Sequence, residues 1–523
     1  MGNSRIRSLV LVLLVALSLI LVHPAWAGTS TPEEIYLGKH GVYYQIFVRA
    51  FADGDGDGLG DLRGIINNLD YLEELGVGGI WLTPIHPSPT YHKYDVVDYY
   101  AIDGEIGTLE DFRELTSEAH ARGIKVIIDL VLNHTSSRHP WFSSAALNLQ
   151  SPYRDYYIWA DENTNVRALG PWGQRVWHPQ GRHYYYGLFW DGMPDLNYDN
   201  PAVREEAKAI AEFWLGQGVD GFRLDAAMHI YAHSEPERAL GWWQEFRQHV
   251  QAINPHVYLV AEVWDSSHVV APYYATFDSN FNFDLANLVI LSAKSGLDVG
   301  VAQVVEGHLG RFSEHSNWVI DVPFLTNHDQ DRVMSVLNNA DKAKIAASLY
   351  LTLPGNPFVY YGEELGMKGT GPDENKREPF KWYPVSGPGQ STWRTPSFNT
   401  GEWQPSVQEQ RDDPESLLNH YRALINLRKE NDALRLGGFS PLTTGNRRVV
   451  GFVREWRGEQ VLVFHNLANS TQIVDLELEE LAGGRSWTLL YAQGEYGLEQ
   501  DDQHLTLQLS PYSSLLVHKK HER

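Results

Sequence analysis

The chain has 523 residues, of which 43% are hydrophobic and 21% charged, and its formal net charge at pH 7 is −24. This length exceeds one ordinary domain, and the composition is that of a globular rather than a disordered protein. The acidic charge argues against a nucleic acid or an anionic membrane surface as the main partner, because both attract basic patches. Aromatic residues, 12% of the chain, suit a neutral ligand with apolar faces and hydroxyl edges, such as a sugar.

The N-terminal segment has the pattern of a secretory signal peptide over residues 1–27. Arg5 and Arg7 precede an apolar run at 9–22 that contains one polar residue, Ser18, and Ala25-Trp26-Ala27 forms a small-residue cleavage site before Gly28. We therefore expect a secreted or periplasmic protein without membrane contact after signal removal; an uncleaved signal anchor is the alternative. The sequence contains no Cys, so we expect a fold that is stable without disulfides.

From residue 41 onward, short apolar runs alternate with helical patterns, which is typical of a β/α fold. Helices are predicted at 109–122, 202–217, 242–253 and 342–353. Strands are predicted at 42–51, 79–83, 125–132, 221–224, 258–261, 277–283, 322–325 and 358–361. Eight strands with intervening helices predict an α/β fold of the (β/α)8 TIM-barrel type.

An acidic loop follows the first predicted strand, at residues 53–61. It places carboxylates at positions 1, 3, 5 and 9, a Gly at 6 and a backbone carbonyl at 7, as in the first part of a calcium loop. Position 12 is Gly64 rather than a bidentate Glu, so the loop is not an EF-hand. A solvated acidic turn is the alternative. The predicted Ca²⁺ ligands are Asp53, Asp55, Asp57, the carbonyl of Leu59, and Asp61.

Two regions depart from the β/α alternation. The segment 135–197, rich in Trp, Tyr, Gly and Pro, is too long for one helix and predicts an inserted subdomain over the barrel mouth, after strand three. After a helix predicted at 417–430, short alternating strands at 448–453, 460–465 and 513–518 predict a C-terminal antiparallel β-sandwich over 431–523. The catalytic barrel is accordingly assigned to 28–134 and 198–430.

Four predicted strands end in acids and histidines. The segments are 129–134 (DLVLNH), 221–225 (GFRLD), 259–262 (LVAE) and 324–329 (FLTNHD). Active sites of parallel barrels lie at the C-terminal ends of the strands. The spacing places Asp225, Glu262 and Asp329 at the ends of strands four, five and seven, where carboxyl groups can act as acid, base or nucleophile.

In this order and spacing, the four segments resemble the conserved regions of the α-amylase family, glycoside hydrolase family 13. The resemblance implies cleavage with retention of configuration, which needs two carboxyl groups about 5–5.5 Å apart. It makes Asp225 the nucleophile, Glu262 the acid/base and Asp329 the third acid, which holds sugar hydroxyls. Arg223 lies two residues before Asp225, so it faces the same side of the strand and is expected to keep Asp225 ionised.

The resemblance also implies contacts with the sugar in the cleavage subsite. His134 and His328 match residues that hydrogen-bond this sugar, and Tyr94 matches the tyrosine that stacks beneath it. The substrate-binding residues that follow from the sequence are Tyr94, His134, Arg223 and His328.

Three further positions bear on specificity. The motif at 193–197 (MPDLN) lies between the versions of oligo-1,6-glucosidases and neopullulanases, so the chain resembles the group intermediate between them. Residue 226 is Ala, where α-1,6-specific relatives carry Val, and residue 91 is Tyr, where oligo-1,6-glucosidases carry Asp. Both departures favour an α-1,4-acting enzyme with an open cleft.

We therefore expect a monomeric, endo-acting α-amylase that binds an α-glucan or maltooligosaccharide and hydrolyses starch and maltodextrins. An α-glucosidase, an oligo-1,6-glucosidase or a transglycosylase with the same machinery is the alternative. A non-catalytic relative is disfavoured because the set of catalytic residues is complete.

Overall fold

The computed structural model describes residues 30–400, 406–477 and 487–519. The predicted signal peptide lies outside these ranges. Within them, no helix combines the length and the apolar character that crossing a membrane requires.

Eight parallel strands form the predicted TIM barrel. Each strand pairs with the one before it in chain order, and the last pairs with the first. The seventh and eighth strands meet through a bridge between Phe324 and Phe358, which closes the ring. The strands are Tyr43–Ile46, Gly79–Leu82, Lys125–Leu130, Gly221–Leu224, Tyr258–Ala261, Ser279–Phe281, Ile320–Val322 and Phe358–Tyr360. Nearly all of their residues are buried, as expected for an all-parallel sheet covered by helices.

Helices cover the outside of the barrel. Leu109–Ala121 illustrates why they form: a capping box of Thr108 and Asp111 starts the helix, and Phe112, Leu115 and Ala119 bury one face. The main barrel helices are Leu62–Asn67, Leu69–Leu75, Leu109–Ala121, Pro201–Leu215, Pro236–Ile253, Phe283–Ser295, Val301–Ser313, Ala340–Thr352 and Leu417–Glu430. Further helices in the chain are Pro32–Gly38, Val48–Phe51, Pro140–Leu147, Ser267–Val270, Val333–Leu337, Asp373–Lys376, Val407–Gln410 and Asp432–Leu436.

The first and seventh strands differ from their predicted bounds. The first was predicted to run through residue 51 but ends at Ile46, and Val48–Phe51 form a helical turn. Hydrophobicity over 42–51 could not show this change, because a short continuous apolar run does not distinguish a buried strand from a buried helix. The seventh, predicted at 322–325, is Ile320–Val322.

The inserted segment contains the helix Pro140–Leu147 and a hairpin of Trp177–Gln180 with His183–Tyr186. An antiparallel bridge between His134 and Asp195 ties the end of this segment to the residues that follow strand three.

The C-terminal region forms the predicted antiparallel β-sandwich. One sheet has five strands, Gly438–Pro441, Val449–Trp456, Glu459–Asn466, Trp487–Gln493 and Ser514–Lys519. The other has three, Gln472–Glu477, Tyr496–Gln500 and His504–Leu509. Side chains of both sheets, including Leu462, Val474, Leu507 and Val517, share one hydrophobic core.

Two buried arginines bind the C-terminal end of helix Ala340–Thr352, and one of them, Arg454, comes from the sandwich and joins it to the barrel. Arg454 Nη1 donates to the carbonyl of Thr352 at 2.7 Å, and Arg428 Nη1 donates to those of Leu351 and Leu353 at 2.9 and 2.7 Å. The last carbonyls of a helix lack partners within the helix and carry its negative dipole end, so they suit cationic donors.

Candidate active site

The acids and histidines predicted from the four segments converge on one cavity of about 840 Å³. The cavity lies at the C-terminal ends of the barrel strands, as predicted. Its lining includes Tyr94, His134, Asp225, Glu262, His328 and Asp329.

Arg223 occupies the centre of this site and contacts three carboxyl groups. Its Nη1 lies 2.5 Å from Asp225 Oδ1 and 2.8 Å from Asp129 Oδ1, and its Nη2 lies 2.7 Å from Glu262 Oε1. The Arg223 side chain is only 1% exposed. Asp225 and Glu262 therefore flank a single guanidinium group, an arrangement compatible with the carboxyl spacing of about 5–5.5 Å in retaining glycosidases.

Asp129 is a member of the site that the sequence analysis did not select. It is fully buried on strand three and lies beside Arg223 in the parallel register. Its Oδ2 accepts hydrogen bonds from Tyr94 Oη at 2.8 Å and Trp81 Nε1 at 3.2 Å. An acid inside an apolar strand, next to the strand that carries Arg223, was the available signal, because a buried carboxylate needs such a partner.

Glu262 has the protonation behaviour of a general acid. Burial raises its pKa to about 7, and the nearby Asp225 and Asp329 act in the same direction, although Arg223 opposes them. Its Oε2 accepts a hydrogen bond from the backbone N–H of Ala226 at 3.1 Å. Ala226 has a left-handed conformation with φ of 47°, so the chain turns sharply after Asp225 and presents this N–H to Glu262.

Asp329 is held by a second arginine, Arg377, which the sequence analysis also did not select. Arg377 Nη2 lies 2.8 Å from Asp329 Oδ1, and its Nη1 donates to the hydroxyl of Tyr91 at 3.0 Å. Although burial alone raises it, the pKa of Asp329 is held below its ordinary value by His328 and by the charge of Arg377. No strand-end motif marks Arg377, since it lies in the loop after strand eight and meets Asp329 only in the fold.

His328 and His134 fix the position of Tyr94 in the cavity wall. Gln45 Nε2 donates to His328 Nδ1 at 2.7 Å, which leaves the proton of this ring on Nε2, 2.7 Å from Tyr94 Oη. His134 Nε2 donates to the carbonyl of Tyr94 at 3.2 Å. Burial lowers the pKa of His328 to about 3 and also lowers that of His134, so both rings are neutral hydrogen-bonding groups near pH 7.

Three exposed tryptophans extend the cavity wall: Trp172 is 61% exposed, Trp190 43% and Trp264 48%. Trp264 stacks on Phe283 with ring centroids 4.3 Å apart and planes at 7°. A rigid aromatic face beside catalytic carboxyls can stack against the apolar face of a sugar ring.

The acidic loop brings three of its predicted ligands together. Carboxylate oxygens of Asp53, Asp55 and Asp61 all lie within 4.8 Å of one another. Oxygens bound to one Ca²⁺ at 2.3–2.6 Å can be about 5 Å apart at most, so this spacing fits such a cation. Asp61 also accepts from the N–H of Gly64 and thereby caps helix Leu62–Asn67.

The other two predicted ligands are not part of this carboxylate cluster. Asp57 is exposed, and its Oδ1 accepts a hydrogen bond from the N–H of Leu59 at 2.7 Å. Its role as a ligand stays a prediction, as does that of the Leu59 carbonyl.

Two family descriptions together match most of the chain. Residues 45–437 match "Alpha amylase, catalytic domain" and residues 439–516 match "Maltogenic Amylase, C-terminal domain". The division falls where helix Asp432–Leu436 gives way to the first strand of the sandwich.

Individual relatives match over nearly their whole lengths. Alpha-amylase 3 of Dictyoglomus thermophilum is 44% identical over 88% of this chain and 90% of its own. A 4-alpha-glucanotransferase of Thermotoga neapolitana is 36% identical over 83% of this chain and 97% of its own. The crystal structure of an alpha-amylase from H. orenii matches with a TM-score of 0.87 and 48% identity, over 92% of this chain and 100% of that one.

Proposed function

The chain belongs to the α-amylase family of glycoside hydrolases, and from that premise we propose that it is a retaining, endo-acting α-amylase that hydrolyses α-1,4-glucosidic bonds in starch and maltodextrins. The observation that carries this proposal is the contact of Arg223 with both Asp225 and Glu262, in a cavity that Asp329 also lines.

In the first step, the carboxylate of Asp225 attacks the anomeric carbon of the bound sugar. Glu262 gives its proton to the glycosidic oxygen as the bond to the leaving chain breaks, which yields a covalent glycosyl-enzyme. Arg223 places a positive charge 2.5 Å from Asp225 Oδ1, while burial favours the protonated form of Glu262.

In the second step, Glu262 takes a proton from water, and the water oxygen attacks the anomeric carbon. The ester to Asp225 breaks, and the two inversions together retain the α configuration. Asp329, held by Arg377, offers acceptors to sugar hydroxyls in both steps. Tyr94 offers its ring beneath the sugar, fixed by the two histidines.

Three features favour α-1,4 bonds of a long substrate. The cavity of about 840 Å³ is at the upper end of the usual range for ligand pockets, about 300–1,000 Å³. Tyr91 stands where oligo-1,6-glucosidases have Asp, and it hydrogen-bonds Arg377 instead of forming an ion pair. Ala226 leaves space beside the nucleophile.

A product profile tests this specificity. We expect maltoheptaose and soluble starch to yield mixed maltooligosaccharides at early times, with the newly formed anomer α by NMR, and isomaltose to remain intact. Release of glucose alone from chain ends would establish an α-glucosidase instead.

Transglycosylation is the second candidate, because the glucanotransferase of Thermotoga neapolitana is 36% identical. In that reaction a sugar hydroxyl replaces water in the second step. Trp264, stacked on Phe283 beside Glu262, offers a face for an acceptor sugar. Incubation with maltotriose separates the two reactions: products longer than the substrate favour transfer, and shorter products alone favour hydrolysis.

We propose Ca²⁺ as the ion of the acidic loop, with Asp53, Asp55 and Asp61 as carboxylate ligands and Asp57 and the Leu59 carbonyl as the further ligands predicted. Its part is structural, since the loop residues do not line the catalytic cavity.

The signal-peptide pattern supports export to the periplasm or the medium. An α-glucan substrate and a monomeric state complete the proposal.

A further inference from the structure

A small pocket of about 190 Å³ lies at the opposite end of the barrel from the catalytic cavity. It is formed where strands begin: residues 41–42 precede the first strand, 76–78 the second, and Lys125 opens the third. The ends of helices Leu417–Glu430 and Asp432–Leu436 cover it. Gly41, Gly76, Gly78 and Gly123 in its wall carry no side chain to fill it.

The polar groups of this pocket are nearly all basic. Lys125, Arg428, Lys429, Arg435 and His40 line it, from four separate parts of the chain, and no Asp or Glu does. Such a concentration of cations stands out in a chain of net charge −24, where acids are abundant elsewhere.

Most of these cations have no acid to neutralise them. In the described part of the chain, no carboxylate lies within ion-pair distance of Lys125, Arg428 or Lys429. Arg428 is buried and donates to three carbonyls, including that of Gly355 at 2.5 Å. Arg435 does pair with Asp432, at 2.5 Å.

Lys125 Nζ donates to the carbonyl of Gly38, and Asp220, the acid whose charge favours that of Lys125, is engaged elsewhere. Asp220 Oδ2 accepts from the N–H of Val126 and from His120, both at 2.7 Å. Burial lowers the pKa of Lys125, and Lys39 and Arg435 lower it further, although Asp220 opposes them. Burial also lowers the pKa of His40 to about 3, with Arg428, Arg435 and Lys125 adding to the effect. His40 is therefore neutral near pH 7, whereas the charge of Arg435 disfavours the charged forms of Lys125 and Arg428.

We propose that this pocket binds a free inorganic oxyanion of the sulfate or phosphate class. Ammonium and guanidinium groups are the side chains that bind such ions through charge-assisted hydrogen bonds. A bound anion would neutralise the cluster at the junction of the barrel, its last helix and Asp432–Leu436, and would stabilise the folded state. This site is separate from the catalytic cavity and does not rest on the proposed substrate.

Calorimetric titration with sodium sulfate tests the site, at constant ionic strength and constant calcium. We expect saturable binding of one sulfate to the wild-type protein. Lys429→Gln with Arg435→Gln should weaken it at least tenfold, and Lys429→Gln alone should weaken it measurably. Lys294→Gln is the matched control, because it removes the same charge from an exposed site outside the pocket, and it should bind as wild type does.

Two further measurements make the result decisive. The rise in Tm should saturate with the binding isotherm in the wild type and the control, whereas a general salt effect would raise Tm equally in all variants. Glucose 1-phosphate should bind at least tenfold more weakly than sulfate if the site is for a free ion. Absence of saturable sulfate binding, equal affinity in the double variant, or equal binding of the ester would overturn the proposal.

Discussion

At the scale of single residues, the site shows which roles a sequence can predict. Asp225, Glu262 and Asp329 sit at strand ends in recognisable segments, and the structure brings all three to one cavity. Asp129 and Arg377 were not predicted, because their roles depend on contacts with Arg223 and Asp329 that no local pattern encodes. The parallel pairing of strands three and four could have predicted the contact of Asp129 with Arg223. No comparable pairing rule predicts the contact of Arg377, because Arg377 lies in a loop.

Replacing either catalytic carboxyl should remove activity without unfolding the protein. Asp225→Asn loses the nucleophile and Glu262→Gln loses the proton donor, so we expect kcat to fall by about 10²–10⁴-fold or more. Asp161→Asn, on an exposed turn of the insertion, is the control and should keep wild-type rates. Near-normal activity of either catalytic variant, with an unchanged circular dichroism spectrum, would refute the assigned roles.

The raised pKa of Glu262 predicts the alkaline limb of the pH–rate profile. The first step needs the protonated acid, so kcat should fall as pH rises through about 7 rather than near 4.5, the ordinary value. The folded state also holds this proton more tightly than the unfolded chain, so the contribution of Glu262 to stability is lost as pH rises from about 4.5 to 7. An alkaline limb that begins below pH 5 would contradict this assignment.

At the scale of elements, the acidic loop couples a cation to the start of a helix. Chelation should lower Tm, because a cation at about 100 times its Kd stabilises by about 2.7 kcal/mol. Asp55→Ala should abolish the effect of the chelator, while Asp70→Ala, on the exposed face of the next helix, should preserve it. Identical melting curves with and without chelator would remove the metal site.

Arg454, on sandwich strand Val449–Trp456, links the sandwich to the barrel through its hydrogen bond to the carbonyl of Thr352. Arg454→Met leaves the carbonyls of Thr352, Gly437 and Gly438 without this donor, and each unsatisfied buried group costs about 1–3 kcal/mol. We expect the free energy of unfolding to fall by about 3 kcal/mol or more in urea titration. Arg457→Met, an exposed arginine just beyond the same strand, should change it by less than about 1 kcal/mol; equal losses in both would contradict the link.

At the scale of the whole molecule, the sequence predicts the architecture more accurately than it predicts where individual strands and helices end. The alternation of patterns predicts the barrel, the insertion and the sandwich, whereas the apolar run that includes Val48–Phe51 fits a buried strand as well as the helical turn that forms there. The basic pocket was not predicted either, since its cations come from parts of the chain that only the closed barrel brings together.

The barrel and the sandwich should unfold together. Val450, Phe452, Val463 and Leu516 of the sandwich belong to the same buried cluster as the barrel helices, so separating the two parts would expose apolar side chains of both. Calorimetry should therefore show one cooperative transition, and a chain ending at residue 437 should not fold to an active barrel. Two resolved transitions, or activity of that fragment, would contradict a shared core.

Closure of the ring also sets when activity can first appear during folding. Tyr43 pairs with Phe358 of strand eight, and Gln45 hydrogen-bonds His328, which follows strand seven, so strand one takes its place in the active site when it meets the last strands of the barrel. Contacts of such long sequence separation form late and slowly. The newly made chain therefore becomes an active enzyme only when the two ends of its barrel have met.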